Sequence, residues 1–326
     1  MNFEDKIFVA GHNGLVGSSI TAKLSSMGYK NIIVASRNEL NLTNQKSVDL
    51  FFKLEKPKFV FLAAAKVGGI YANSSYSADF IYQNLMIEVN VINACYKYGT
   101  KRLVFLGSSC IYPRDSDQPI KENFLLSGRL ETTNEPYAIA KIAGIKLCES
   151  FNKQYKTDFR SVMPTNLYGQ NDYFHNKNSH VIPALIQRFH VAKISGQKTI
   201  DVWGSGIARR EFLHVDDMAD ATIFIMKLDK ASLDKIIEID NSHINIGSGE
   251  EVTIKELAEL IKDIVGYSGK IHFDKSKPDG MLRKLLDSSR IEKLGWKPKI
   301  SLNDGISLTY EWFKRTIENN AGSIRK

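Results

Sequence analysis

The chain is poor in cysteine. Its three thiols, Cys95, Cys110 and Cys148, are too few and too oddly numbered for a disulfide framework. No Cys/His cluster has metal-ligand spacing, so reduced thiols and no metal are expected. Long hydrophobic runs are also missing. Nothing approaches the roughly twenty apolar residues of a membrane span, which argues against a membrane partner. Met1 to Lys6 carry two acidic side chains and no apolar signal core, so the expected location is the cytoplasm. Repeats and low-complexity tracts are absent. The net charge of +8 comes from lysines scattered along the chain, with no basic run interleaved with aromatics, and this argues against nucleic acid. What remains is a chain of 326 residues, 43% hydrophobic and 25% charged, long enough for one large domain and a smaller second one.

Apolar runs and helical patterns alternate through the first half. Lys6 to Ala10, Asn31 to Ala35, Phe59 to Ala65, Arg102 to Gly107 and Phe159 to Met163 read as strands, several of them buried on both faces. Helical patterns lie between them over Leu15 to Met27, Asn44 to Lys53, Phe80 to Tyr98 and Glu135 to Tyr155. The alternation predicts an α/β fold with a doubly wound parallel sheet of the Rossmann type. Ligands in such a sheet lie beyond the carboxyl ends of the strands, where Gly11, Ala63 to Ala65, Ser108 and Pro164 to Leu167 all fall.

Two motifs sit at those strand ends. Gly11-His12-Asn13-Gly14-Leu15-Val16-Gly17 joins the first strand to the first helix, a turn suited to a pyrophosphate, although a tight turn without a ligand has the same form. Arg37, twenty residues beyond Gly17, stands where an NAD site carries an acid for the ribose. An arginine there favours a 2′-phosphate and hence NADP, or is an ordinary surface charge. Further on, Ser108 ends a strand and Tyr137-x-x-x-Lys141 follows twenty-nine residues later. On a helix that spacing puts phenol and ammonium one turn apart on one face. The cation is expected to lower the phenol towards neutrality so that it exchanges a proton with a sugar or alcohol oxygen, which Ser108 would also hold. A Tyr-x-x-x-Lys pair alone is a weak signal, more often an ordinary helix surface pair; the strand context selects the hydride-transfer reading.

After Tyr168-Gly169-Gln170 the alternation breaks, and Asn171 to Ser179 is polar. The domain change is placed there. Val181-Ile-Pro183 begins another helix, Trp203-Gly-Ser-Gly206 is a turn presenting an aromatic face, and Arg210 to Asp217 leads into a helix that Asp216 or Asp217 could cap. Ile244 to Gly247 reads as one more strand of the main sheet, and Thr253 to Val265 as a helix of the second unit. The expected division is residues 1–170 as the cofactor domain, with 211–247 returning to it, and 171–210 plus 248–326 as a smaller α/β substrate domain.

These residues resemble the extended short-chain dehydrogenase/reductase superfamily. Ala63 to Ile70, Leu106 to Pro113, Asn134 to Lys141, Met163 to Gly169, Asn178 to Pro183 and Lys277 to Gly280 are similar to its GDP-L-fucose synthases, and the likeness runs nearly the length of the chain. Such enzymes convert GDP-4-keto-6-deoxy-D-mannose to GDP-L-fucose by epimerising C3 and C5 and then reducing C4 with NADPH. Inversion beside a ketone needs a base on one face and an acid on the other. The resemblance implies Cys110 as that base and His180 as the acid, where the residues alone would read as a small buried thiol and a capping histidine.

It further implies a cofactor site of Gly11 to Gly17, Arg37, Asn41, Leu42, Ala63, Lys141, Pro164, Thr165, Asn166, Leu167 and His180. The GDP-sugar would meet Arg188, Trp203, Arg210 and Asp279. Part of the basic surplus would then serve phosphates, with Arg209, Lys277, Arg283 and Lys284 as further candidates. Bacterial members often carry Arg where this chain has Asn13, leaving Arg37 as the main contact to the 2′-phosphate. A homodimer through the helices at Phe80 to Tyr98 and Pro136 to Tyr155 is implied by resemblance. A dehydratase is disfavoured, because the neighbours of Ser108 are Ser109 and Cys110, not an acid. A sibling C4 reductase acting on a GDP-4-keto-heptose would share every one of these motifs, and an NADP-sensing binding protein would have little reason to keep all five reactive residues.

Overall fold

The computed structural model describes residues 1–174, 179–277 and 279–319. In chain order the first half forms β1 (Ile7–Ala10), α1 (Leu15–Ser26), β2 (Ile32–Ile33), α2 (Gln45–Glu55), β3 (Phe59–Leu62), α3 (Ile70–Ser75), α4 (Ser77–Lys97), β4 (Arg102–Leu106), α5 (Glu135–Tyr155) and β5 (Phe159–Pro164). The second half forms β6 (Asn166–Tyr168), α6 (Val181–Ser195), β7 (Thr199–Trp203), β8 (Arg209–His214), α7 (Val215–Lys227), α8 (Lys230–Asp234), β9 (Ile244–Ile246), β10 (Glu251–Thr253), α9 (Ile254–Val265), β11 (Lys270–Asp274), β12 (Arg283–Lys284), α10 (Ser289–Lys293) and α11 (Leu302–Asn319).

Six strands make one parallel sheet in the order β2-β1-β3-β4-β5-β9. Its faces separate by strand alternation: Ile7 and Val9 pack towards α1 and α7, Phe8 and Ala10 towards α2, α4 and α5. Burial on both sides explains why β1, β3 and β4 are uninterruptedly apolar or buried. Edge strand β2 is shorter than the sequence pattern suggests, because β1 is its one partner and Val34 already faces solvent. The return of β9 beside β5 matches the expectation for Ile244 to Gly247.

The second unit packs α6, α9 and α11 around Phe189, Leu257, Ile261 and Phe313. Strands β7 and β11 pair in parallel, while β8 lies between β10 and β12 and also pairs with β6. Helix α9 begins with a reciprocal capping box between Thr253 and Glu256, which fixes its start where the sequence places it. One expected cap is corrected. His214, not Asp216 or Asp217, caps α7, accepting from the Asp216 amide at 3.3 Å. Asp217 is drawn away because its carboxylate accepts the amides of Lys299 and Ile300.

No described helix is long and apolar enough to cross a membrane, and among the described residues no group of His, Cys, Asp and Glu could hold a metal ion. The three cysteines are free and buried.

Candidate active site

The glycine turn starts where β1 ends. Gly11 has φ +91°, and a Cβ on it would lie 2.7 Å from the Ala64 amide nitrogen, so the turn needs glycine for both its conformation and its contact with the strand-end after β3. A Cβ on Gly17 would collide with the Gly11 carbonyl, so the first turn of α1 can sit against the loop only without a side chain. Gly14 caps α1 with no side-chain hydrogen bond and no acid follows in the first turn. The helix dipole and its unpaired amides therefore face outward. His12 Nδ1 is buried without a hydrogen-bond partner, and Asn13 and Gly14 are exposed at the lip, with Leu15 and Val16 half-buried behind them. This cradle fits a diphosphate.

The other expected cofactor residues border the same end of the sheet. Arg37 is exposed beyond β2, its guanidinium 3.5 Å from Gln83 Oε1. Asn41 accepts from Thr43, and the Leu42 carbonyl accepts from Asn90, which fixes the loop after Arg37. The Ala63 amide donates to the Ala10 carbonyl beside the glycine turn. Pro164 ends β5, and Thr165 and Asn166 both donate to the Glu211 carbonyl, placing Leu167 on β6.

Ser108 follows β4 and starts a single 3-10 turn, Ser109–Ile111, by accepting from the Cys110 amide at 3.4 Å. Tyr137 and Lys141 project from the first turns of α5, which opens with Pro136 in the position where a missing N–H costs nothing. Lys141 Nζ lies 5.7 Å from the Tyr137 ring centre and 4.7 Å from that of Phe105. It donates to the Leu106 carbonyl at 3.0 Å and pairs with Glu88 Oε1 at 3.2 Å. The expected lowering of the Tyr137 phenol by Lys141 is not met. Burial pushes the phenol well above its ordinary value, the Cys110 and Glu88 charges act in the same direction, and a hydrogen bond with Ser108 opposes them.

Burial likewise raises the Cys110 thiol, against the Lys284 ammonium, the Ser108 hydroxyl and Lys141. Ser108, Cys110, Tyr137 and Lys141 therefore form one cluster, joined by Lys284 from β12. Burial lowers Lys284, the Cys110 charge supports it, and Arg210 disfavours it. His180 is exposed and caps α6, with no side-chain cap bond. Its charge acts on Asp172, whose buried carboxyl is raised to about 6 mainly by burial. Among the described residues no hydrogen bond or ion pair links His180 to the Cys110 cluster. His175 and Asn176 to Asn178, part of the segment preceding it, lie outside the described residues.

Arg188, Trp203, Arg210 and Asp279 gather on the second unit. Trp203, 58% exposed, has the Arg188 guanidinium and Lys277 Nζ each 6.0 Å from its ring. Asp279 accepts from the Ser205 amide and hydroxyl at 2.6 and 2.8 Å, and those bonds, with Arg210 nearby, hold it below the usual carboxylate range. Pro278, inside the Lys277 to Gly280 segment, lies outside the described residues. The pairing Lys284↔Arg210 between β12 and β8 connects this group to the thiol. Sequence reasoning missed Glu88, which reads as a solvated acid on an amphipathic helix, and Asp172. Lys284 was legible as a cation but not as the neighbour of Cys110, since a non-local strand pairing puts it there.

The sequence matches the NAD dependent epimerase/dehydratase family over residues 7–247. It is 56% identical to GDP-L-fucose synthase 1 of Arabidopsis thaliana over 96% of this chain and 94% of that protein. It is 55% identical to GDP-L-fucose synthase of Escherichia coli (strain K12), over 95% of this chain and 97% of that one. Among solved structures, MlghC, a GDP-mannoheptose C4 reductase from Campylobacter jejuni with NADP bound, superposes with a TM-score of 0.88 at 43% identity, covering 96% of this chain and 99% of that chain. The glycine cradle, the Ser108, Tyr137 and Lys141 cluster and these full-length likenesses agree: the chain belongs to the NAD dependent epimerase/dehydratase family, alongside the GDP-L-fucose synthases.

Proposed function

We propose that the protein converts GDP-4-keto-6-deoxy-D-mannose to GDP-L-fucose, first inverting C3 and C5 and then reducing C4 with NADPH. The observation that carries this reading is the Cys110 thiol within the Ser108, Tyr137 and Lys141 cluster. A simple ketoreductase needs the hydroxyl, the phenol and the lysine but has no use for a thiol beside them.

Ser108 and Tyr137 hold the C4 oxygen, which acidifies the protons on C3 and C5 and stabilises the enolate formed when one leaves. Cys110 takes those protons, its ionisation helped by Lys284, and His180 returns a proton on the opposite face. Tyr137 then gives its proton to the C4 oxygen. Bound NADPH supplies the hydride. The glycine turn holds its diphosphate and Arg37 its 2′-phosphate, while Arg188 and Arg210 pair with the GDP diphosphate and Trp203 stacks on a flat face. In this division residues 1–170 and 211–247 carry the cofactor, and 171–210 with most of 248–326 carry the GDP-sugar. The cores do not follow this division strictly, since Leu286, Ile291 and Trp296 pack against the main sheet while Tyr168 and Phe212 pack with α6, α9 and α11. The protein acts as a homodimer through α4 and α5, a reading supported by exposed Tyr82, Val89 and Tyr96, spaced by seven on α4, and exposed Ile139 on α5.

The likeness to MlghC favours a second substrate, a GDP-4-keto-heptose reduced at C4. Incubation with GDP-4-keto-6-deoxy-mannose and NADPH in deuterated water, read by NMR, separates the two. Deuterium at C3 and C5 in an L-fucose product supports the full reaction. Reduction without exchange leaves a C4 reductase, and absence of NADPH consumption points to the heptose.

A further inference from the structure

A buried acid stands behind Lys141 with no part in this chemistry. Glu88 reaches in from α4 and is 1% exposed, as is Lys141. One carboxyl oxygen pairs with the ammonium at 3.2 Å, and the other has no hydrogen-bond partner among the described residues. Helix α5 makes room for it. At Gly144, one turn beyond Lys141, a Cβ would come within 2.8 Å of Glu88 Oε2 and 2.5 Å of the Phe105 ring. Anchoring Lys141 does not require a carboxylate, since the Leu106 carbonyl already accepts its proton at 3.0 Å. What Glu88 adds is a negative charge, in a place where burying one is costly.

The direction of the reaction gives that charge a use. A lysine cation beside a tyrosine favours phenolate, which is the base that alcohol oxidation needs. Reduction of a ketone needs the reverse, a phenol that still holds its proton. We propose that Glu88 is a positioning residue for the C4 reduction, offsetting the Lys141 charge so that Tyr137 remains a proton donor until the C4 oxygen takes its proton. The proposal rests on Tyr137 being that donor. In the step, C4 gains hydride from NADPH, its oxygen gains the phenolic proton, NADP⁺ is left, and the phenolate regains a proton from solvent.

The groups facing Tyr137 are Ser108 and Cys110 from the turn after β4, Lys141 from its own helix and Glu88 from α4, with Lys284 of β12 acting on Cys110. Cys148 is the further titratable neighbour of Glu88, and it is a neutral thiol raised by burial. Burial lifts Glu88 to about 7 against the pull of Lys141, so Glu88 is ionised throughout the alkaline range in which a phenol titrates.

The test is the pH dependence of single-turnover C4 reduction in wild type, Glu88→Gln and Tyr137→Phe. The alkaline limb of Glu88→Gln should move about one pH unit or more towards acid. A limb in the wild-type position, with Tyr137→Phe inactive, overturns the proposal; a fully active Tyr137→Phe overturns the assignment of the donor instead. A second measurement needs no Glu88 variant: the difference in tyrosinate absorbance between wild type and Tyr137→Phe on titration. No added phenolate should appear below about pH 9. Ionisation of Tyr137 near neutral pH in the wild type overturns the proposal.

Discussion

Replacing Lys141 by Met removes the ammonium 3.2 Å from Glu88 and leaves a buried carboxyl with neither a charge nor a hydrogen bond to support it. Such a group keeps its proton instead of ionising. The consequence for stability depends on pH, and its sign follows from proton counting. In the wild type burial raises Glu88 from 4.5 to about 7. That raised value contributes stability that is present below 4.5, fades as pH rises to 7 and leaves no slope above it. In Lys141→Met the folded chain retains the proton above pH 7 while the unfolded chain has lost it. Each further pH unit then destabilises the variant relative to wild type by about 1.4 kcal/mol, or about 2.7 kcal/mol between pH 7 and 9. Against a total of about 5–15 kcal/mol that is easily measured. Urea denaturation of both proteins at intervals across this range gives the difference directly. The double variant Lys141→Met/Glu88→Gln should show no such slope. Parallel stability profiles for wild type and Lys141→Met would show that Glu88 does not depend on the lysine.

Three further outcomes are expected. Gly17→Ala pushes a methyl into the Gly11 carbonyl and should weaken NADPH binding more than tenfold, by fluorescence titration, as the loop moves from the helix amides that hold phosphate. Burial holds His243 down to about 3, beside the Tyr112 hydroxyl at 3.0 Å. The unfolded chain therefore takes up a proton below about 6.5 that the fold refuses, so stability falls as pH drops, by about 2 kcal/mol at pH 5, and His243→Gln should flatten that loss in acid-titrated calorimetry. Arg210→Gln should raise KM for the GDP-sugar about 10–150-fold with a much smaller change in kcat; equal losses in both would place Arg210 in the chemical step.

Much of this architecture was legible before any coordinates. Glu135 to Tyr155 forms a helix over the range its pattern predicts, because its apolar positions repeat at helical spacing between Pro136 and the left-handed Lys156. The glycine turn and the apolar β1, β3 and β4 were readable for the same reason: local chemistry suffices to specify them. Where the sequence reading stopped short, the cause was long-range. Glu88 is one acid in an amphipathic helix, and nothing near it in the chain says that Lys141, fifty-three positions later, faces it. Lys284 meets Cys110 through the pairing of β12 with β8. The Tyr137 phenol rises instead of falling because burial, which no spacing reveals, dominates, and the Cys110 and Glu88 charges add to it.

The small sheet around β8 also governs how the molecule as a whole can move and melt. Its strand β6 starts two residues after β5 ends, β8 runs directly into α7, and Glu211 at 0% exposure takes the amides of Gly249 and Leu286. Four chain passages thus cross the boundary between the units within one hydrogen-bonded patch. A hinge requires a narrow neck, and this boundary is a weld. Swinging one unit over the other would tear strands from β8, so the exposed glycine turn and Trp203 must take their ligands without such a swing. Heat or denaturant should take both units apart in a single cooperative transition, despite their separate cores.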